Sequence, residues 1–254
     1  MTSTRCRRNS LCFLWLSFFP FCIDAHIRLE RIVDHALEVL PYQWTMIYQL
    51  FDSQQSFDLA TSYPSDHYKT VEGYDGEKGY FYEVRAFIPM GKKEVMYSDQ
   101  LSPGWRQLAE DLLSDEYRQA ISQLMGIDLS SALMEVNIFQ YGQGAWMGPH
   151  VDLKEKIVTH VLYFNSQWDL DLGGGLAILA SKNLSDTVFV VPPIIGCSSV
   201  IVRSNHSWHA VLPILEHCKT TRKSMTVTFY HPNSISTMWP PGERVSLHSY
   251  SGMQ

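Results

Sequence analysis

The spacing of apolar residues divides the chain into a helical first half and a β-rich second half. Apolar residues recur every three or four positions across 27–40, 104–114 and 115–126, which predicts amphipathic helices there. Asp115 is a candidate N-terminal cap for the last of these helices. Beyond residue 132, short runs rich in β-branched and aromatic residues are separated by Gly, Pro, Asn and Asp. They predict strands at 133–140, 157–165, 175–180, 187–191, 198–203, 207–212 and 222–230.

The order of these elements predicts a mainly β fold. Helices precede the strands instead of alternating with them, which argues against a parallel α/β sheet, and evenly spaced short strands indicate an antiparallel sandwich or barrel. Residues 52–79 are polar and aromatic, and they predict a long loop or a pair of short strands, with 52–98 as a candidate lid. We expect one domain, in which an N-terminal region (1–131) packs on a core (132–231) and an irregular tail (232–254) follows.

Composition narrows the class of protein. Hydrophobic residues make up 45% of the chain and charged residues 18%, which is ordinary for a globular protein with a real core. The formal net charge of −6 argues against a nucleic-acid-binding surface. The five cysteines form no CxxC pair, so we expect free thiols and a cytoplasmic location.

The N-terminus leaves two interpretations open. An apolar run, Leu11 to Ile23, follows three arginines and resembles a signal peptide, but no clean cleavage site precedes His26. We favour a buried strand over Phe18 to Ala25. The run is too short to predict a membrane span.

A possible metal site follows from the segment that contains His150 and Asp152, together with the distant His209. Two histidines and one carboxylate are the ligand set that holds non-haem Fe(II) and leaves coordination positions open. If His150 and Asp152 share a strand, their side chains point to the same face. His206 is the alternative to His209, and His160 is one position off the inward face of its strand, so we expect a structural role for it. A zinc hydrolase could use the same ligands.

A basic residue and three aromatic residues add to the pattern. Arg222 and Ser224 share one face of a predicted strand, and the planar guanidinium suits a carboxylate; Lys219 is the alternative. A zinc hydrolase would leave this arginine without a role. Trp168 and the glycines at 173–175 predict a turn closed by an aromatic ring. Two further aromatic residues could line a pocket or simply pack, namely Tyr141 and Trp146.

Residues 134–230 contain five short motifs whose order resembles that of a known protein family. The order is His-x-Asp, then Tyr-hydrophobic-Asn-x-x-Trp, Gly-Gly-x-Leu, His-x-Val and Arg-x-Ser. This order resembles the Fe(II)- and 2-oxoglutarate-dependent dioxygenases of the prolyl-4-hydroxylase-like branch. The resemblance implies a double-stranded β-helix, or jelly roll, with the N-terminal helices packed on it.

The resemblance also implies a site and a reaction. His150, Asp152 and His209 would be the iron ligands and catalytic centre, and 2-oxoglutarate would bind to Arg222, Ser224 and Tyr163. O2 would be a further substrate, and ascorbate is a candidate stimulant. Because related halogenases lack the carboxylate, Asp152 favours hydroxylation.

We expect hydroxylation of an unactivated C–H bond of a small molecule, such as an amino acid or natural-product intermediate, with release of succinate and CO2. We expect neither nucleic acid nor membrane as a partner. One alternative is a peptidyl or protein prolyl hydroxylase, with a peptide as the substrate. The alternative from another class is a non-catalytic jelly-roll binding module.

Overall fold

A computed structural model describes residues 27–74 and 78–240. Four α-helices lie in this part of the chain: α1 (Leu29–Val33), α2 (Ser53–Thr61), α3 (Pro103–Leu113) and α4 (Asp115–Met125). The described strands are β1 (Trp44–Ile47), β2 (Lys69–Tyr74), β3 (Gly79–Ile88), β4 (Leu133–Tyr141), β5 (Trp146–His150), β6 (Lys156–Tyr163), β7 (Leu176–Leu179), β8 (Thr187–Val191), β9 (Ser198–Val202), β10 (His209–Val211) and β11 (Arg222–Tyr230).

These strands form one curved sheet. Its order is β1-β9-β6-β11-β4-β3-β5-β10-β7-β8, with β2 paired to β3, and the strand pairs are antiparallel. The two ends of the order approach each other, since the rings of Trp44 on β1 and Phe189 on β8 lie 5.4 Å apart between centroids. The sheet is therefore a nearly closed, jelly-roll-like barrel, which confirms the predicted mainly β fold.

The two faces of the sheet have different chemistry. Val136, Ile138 and Val227 point outward into a core that the helices cover. Phe139 and Tyr163 point inward and belong to a second apolar cluster inside the barrel. This alternation follows the two-residue period of a strand. It gives β4 and β11 one apolar face against the helices and one face that lines the interior.

The two central helices confirm the predictions for 104–114 and 115–126. Ser102 caps α3 and Ser114 caps α4, because each hydroxyl accepts a hydrogen bond from a backbone N–H in the first turn. The expectation that Asp115 caps α4 is wrong. Asp115 is the first helical residue, where its charge lies at the positive end of the helix dipole.

The predicted helix over 27–40 is also wrong beyond its first turns, since α1 ends at Val33. Glu38 and Trp44 exchange two backbone hydrogen bonds, which lead the chain into β1. Leu40 is 77% exposed, so this apolar residue at the end of the predicted helix is not part of the core. A strand pairing in the tertiary structure has overridden the local helical pattern.

Residues 52–79 contain more regular structure than a long loop. The helix α2 was not predicted, although Asp52 and Gln55 form a capping box at its start. The alternative of two short strands is nearer the structure, because β2 lies within this segment and β3 begins at its end.

Several other segments either differ from the sequence predictions or lie outside the described residues. Two short strands, β1 and β5, were not predicted. The strand expected at 18–25 lies outside the described residues. Residues 231–240 carry neither helix nor strand. No helix within 27–74 or 78–240 is long and apolar enough to cross a membrane.

Candidate metal centre

Three buried side chains meet at one point inside the barrel. The ligand atoms of His150, Asp152 and His209 lie within 4.8 Å of one another. His150 ends β5 and His209 begins β10, and the two residues are direct partners in the antiparallel register. Their rings are 4.2 Å apart between centroids. Asp152 follows in the loop after β5, so it does not share a strand with His150, although the loop brings it to the same place.

Backbone hydrogen bonds fix the protonation state of both imidazoles. Nδ1 of His150 lies 2.9 Å from the Gly148 carbonyl oxygen, and Nδ1 of His209 lies 2.8 Å from that of Ser207. A carbonyl oxygen only accepts, so each Nδ1 carries the proton and each Nε2 keeps its lone pair for a metal. Burial lowers the pKa of both histidines, which favours the neutral form that a metal requires.

Asp152 is held by partners that the sequence did not reveal. Lys156 Nζ lies 2.6 Å from Oδ1, and the Thr159 hydroxyl donates to Oδ2 at 2.9 Å. Burial alone would raise the pKa of this carboxyl, but Lys156 and the two histidines outweigh it and lower the pKa well below its usual range. The carboxylate is therefore charged. Residue spacing gave no signal for Lys156, because its contact depends on the turn between β5 and β6.

The cluster opens onto a cavity of about 420 Å³. Along β11, alternate residues from Arg222 to Tyr230 line this cavity. The strand register places Thr228 opposite Thr159, whose hydroxyl contacts Asp152, whereas Ser224 pairs with Tyr163. These two pairs of register partners are four residues apart, or roughly 13 Å along a strand. The cavity therefore has a region around Arg222 and Ser224 and another around Thr228.

Arg222 has the chemistry of a carboxylate receptor. Its side chain is buried, Nη1 donates to Ser224 Oγ at 2.7 Å, and Nε is buried with no hydrogen-bond partner in the described chain. Its guanidinium lies 4.9 Å from the ring of Tyr141 and 5.4 Å from that of Tyr163. Within residues 27–74 and 78–240, no Asp or Glu forms an ion pair with it. A buried cation without an anion is costly, so the site fits an acidic ligand.

Neighbouring residues hold this end of the cavity in place. The Asn165 side chain donates to the Thr221 carbonyl and accepts from the Lys223 N–H, both at 2.8 Å, and so fixes the backbone on either side of Arg222. Tyr163 Oη and Ser199 Oγ are hydrogen-bonded at 2.9 Å. Burial raises the pKa of Tyr163 to about 12, so its hydroxyl keeps its proton. Neither Asn165 nor Ser199 was predicted as a site residue.

The alternative residues considered for metal and carboxylate binding lie outside the site. His206 and Lys219 are exposed, outside the metal cluster and the cavity wall. His160 faces the helices, where Nδ1 lies 2.8 Å from the Tyr117 hydroxyl. The structure thus separates these three side chains from the site.

The aromatic residues have distinct positions. Tyr141 lines the cavity, whereas Trp146 packs closely against Gly79 and Gly148. Trp168 Nε1 donates to the Gly173 carbonyl at 2.8 Å, as expected for a turn closed by an aromatic ring. A Cβ atom on Gly174 would come within 2.7 Å of that ring, so glycine is required there.

Known proteins resemble this chain in the sequence of its β core and in its fold. Residues 136–230 match the family model of the 2OG-Fe(II) oxygenase superfamily. Three solved structures are similar in fold. A prolyl-4-hydroxylase from Pseudomonas putida has a TM-score of 0.56 and 22% identity, over 80% of this chain and 99% of that one. A prolyl hydroxylase from Trichoplax adhaerens, in complex with a hypoxia inducible factor oxygen degradation domain peptide fragment, has a TM-score of 0.50 and 17% identity, over 80% and 88%.

The third structure is AviO1 from Streptomyces viridochromogenes Tue57, with a TM-score of 0.50 and 10% identity, over 82% of this chain and 95% of that one. No curated protein matches the chain. The structural likeness establishes the shared fold, and the sequence match covers β4 to β11, which carry the metal cluster and Arg222. The chain therefore has a prolyl-4-hydroxylase-like fold, and its residues 136–230 match the 2OG-Fe(II) oxygenase superfamily, whose iron the cluster of His150, Asp152 and His209 could hold.

Proposed function

We propose that this enzyme hydroxylates an unactivated C–H bond of a small molecule, such as an amino acid or a natural-product intermediate, and releases succinate and CO2. The observation that carries the proposal is the opening of the buried metal cluster and the unpaired Arg222 guanidinium onto one cavity. Its volume of about 420 Å³ is in the range of small-molecule sites.

The metal ligands in this proposal are His150, Asp152 and His209. Two neutral imidazoles and one charged carboxylate would occupy three positions on Fe(II) and leave others open. When bound, Fe(II) with 2-oxoglutarate and O2 supplies the oxidising power to insert oxygen into a C–H bond. The two Nδ1 hydrogen bonds hold the imidazole rings, and Lys156 and Thr159 hold the carboxylate.

The co-substrate would bind through its distal carboxylate. Arg222 offers a planar guanidinium with an unsatisfied Nε, and Ser224 and Tyr163 add hydroxyl groups. Because these groups are buried, water competes weakly for the carboxylate. Tyr163 and Ser224 would contribute hydrogen bonds, and Arg222 the charge.

Two segments outside the central strands also support a small substrate, because they help to enclose the cavity. Val71 and Tyr80 of the β2–β3 hairpin line it, and so does Met238 of the segment 231–240. Lys69 Nζ donates to the Met238 carbonyl at 2.9 Å and so joins the hairpin to this segment.

A prolyl hydroxylase acting on a peptide is the second candidate. It is motivated by the fold shared with the Pseudomonas and Trichoplax enzymes. The test is anaerobic loading with Fe(II) and 2-oxoglutarate, then exposure to O2 with separate panels of free amino acids, small metabolites and proline-containing peptides.

Mass spectrometry would detect the product, and succinate would be measured in parallel. Gain of one oxygen on a small molecule, dependent on Asp152, is the expected result. Gain of oxygen on a peptide alone would favour the second candidate. Absence of both 2-oxoglutarate binding and succinate would overturn the proposed role of the site.

A further inference from the structure

We infer that Glu135 determines substrate specificity by binding a positively charged amine group of the substrate. The inference rests on the proposed function and names its substrate class. It starts from a carboxylate that lines the cavity and is not needed to hold metal or 2-oxoglutarate.

Glu135 lies on the inward face of β4, in the region of the cavity around Thr228. It is the direct register partner of Thr228, which in turn is the partner of Thr159 on β6. Thr159 donates to the metal-binding carboxylate of Asp152. Two strand spacings, or roughly 10 Å, therefore separate the backbone of Glu135 from that of Thr159. This is too far for Glu135 to be a ligand of the same metal, but close enough for one substrate to span the gap.

The carboxylate of Glu135 is buried, and its hydrogen-bond partners in the described chain are neutral hydroxyl groups. Only 2% of the residue is exposed, and it accepts hydrogen bonds from Tyr230 Oη at 3.1 Å and Ser236 Oγ at 2.5 Å. Among the residues described, no lysine, arginine or histidine forms an ion pair with it. Two lysines of the described chain line the same cavity: Lys156 is paired with Asp152, and Lys78 forms no ion pair with Glu135.

Such a carboxylate needs a cation from elsewhere. Removing a carboxylate from water is expensive unless it is paired and hydrogen-bonded. A carboxylate has about four acceptor positions, and the two hydroxyl groups occupy two of them. A protonated amine of the substrate would supply both the missing charge and the remaining donors.

The C-terminal segment holds this carboxylate in one orientation. Ser236 Oγ donates to Glu135 and also accepts from the Trp239 N–H at 3.0 Å. The Trp239 indole donates to Asn137 Oδ1 at 2.7 Å and lies 4.1 Å from Lys69 Nζ. These contacts raise a competing explanation, in which Glu135 only anchors the segment. Glu135→Gln separates the two roles: its amide oxygen can accept from one of the two hydroxyl groups and its NH2 can donate to the other, so the anchor can remain, but the side chain carries no charge.

The test uses three probes of matched length: 1-pentylammonium, 1-pentanol and pentanoate. Each is titrated calorimetrically, under nitrogen, into protein loaded with Fe(II) and 2-oxoglutarate. The ammonium probe should bind the natural protein about tenfold or more tightly than the alcohol, as expected for a charge-assisted hydrogen bond. Glu135→Gln should abolish this preference. Ser236→Ala removes the anchor but keeps the charge, and it should retain the preference.

The inference is overturned if the ammonium probe fails to bind, if the alcohol or pentanoate binds the natural protein as tightly, or if Glu135→Gln keeps the preference. Binding of 2-oxoglutarate is measured in each variant. If it stays normal while the amine preference is missing, only the role of Glu135 fails. If the natural protein does not bind 2-oxoglutarate, the proposed function fails instead.

Discussion

Replacing Arg222 with methionine should weaken 2-oxoglutarate binding by about tenfold to a hundredfold and leave Fe(II) binding close to that of the natural protein. Methionine fills the space with an apolar chain and removes the charge. A hydrogen bond to a charged group contributes about 1.5–3 kcal/mol, and each 1.4 kcal/mol is a factor of ten in affinity. Arg222→Lys should recover only part of the loss, because a point charge replaces a planar fork.

The structure sets the relative sizes of these effects. Arg222 is 1% exposed and its Nε has no protein partner among the described residues, so a bound carboxylate would meet little competition. Ser224→Ala and Tyr163→Phe remove neutral partners, worth about 0.5–1.5 kcal/mol each, and should weaken binding less. Arg222→Met should not lower the melting temperature, because it removes a buried charge that lacks an acidic partner.

Isothermal titration of the Fe(II)-loaded protein with 2-oxoglutarate under nitrogen measures these variants. Lys219→Ala is the matched control, since Lys219 is exposed and its loss should change nothing. Normal binding by Arg222→Met would refute the assigned role of Arg222. Loss of binding in Lys219→Ala alone would transfer that role to Lys219.

Three further predictions concern the metal cluster and the core. Anaerobic Fe(II) titration should show that His209→Ala loses metal affinity and that the exposed His206→Ala keeps it; the opposite result would exchange the two assignments. Asp152→Ala should likewise bind Fe(II) far more weakly, because it removes the one carboxylate among the three proposed ligands, and full affinity would exclude Asp152 from the site. Burial lowers the pKa of His160 to about 3 in the folded protein. As the pH falls below about 6.5, this histidine is therefore protonated in the unfolded state but not yet in the folded state. The free energy of unfolding should therefore fall by up to about 1.4 kcal/mol per pH unit between pH 6 and 4, in urea titrations, and His160→Gln should show a shallower slope; an equal slope would contradict this assignment.

The sequence by itself determined the class of fold and most of the candidate chemistry. Runs rich in β-branched and aromatic residues predicted β4 and β11, and the helical spacing of apolar residues predicted α3 and α4, because both patterns are set within a few residues. The choice of His209 over His206 rested on a short motif, and the structure places only His209 in the cluster.

Only the tertiary structure decided which groups meet. The pairing of Glu38 with Trp44 ended α1 early, and no local pattern carries that information. Asp152 reached the cluster through a loop, and its contact with Lys156 depends on how the next turn folds. Glu135 became a candidate substrate-binding residue only because the strand register places it opposite Thr228 and Ser236, in the segment 231–240, contacts it. Local periodicity fixes the face on which a side chain lies, but strand register and loop paths, which depend on packing between distant segments, fix its partners.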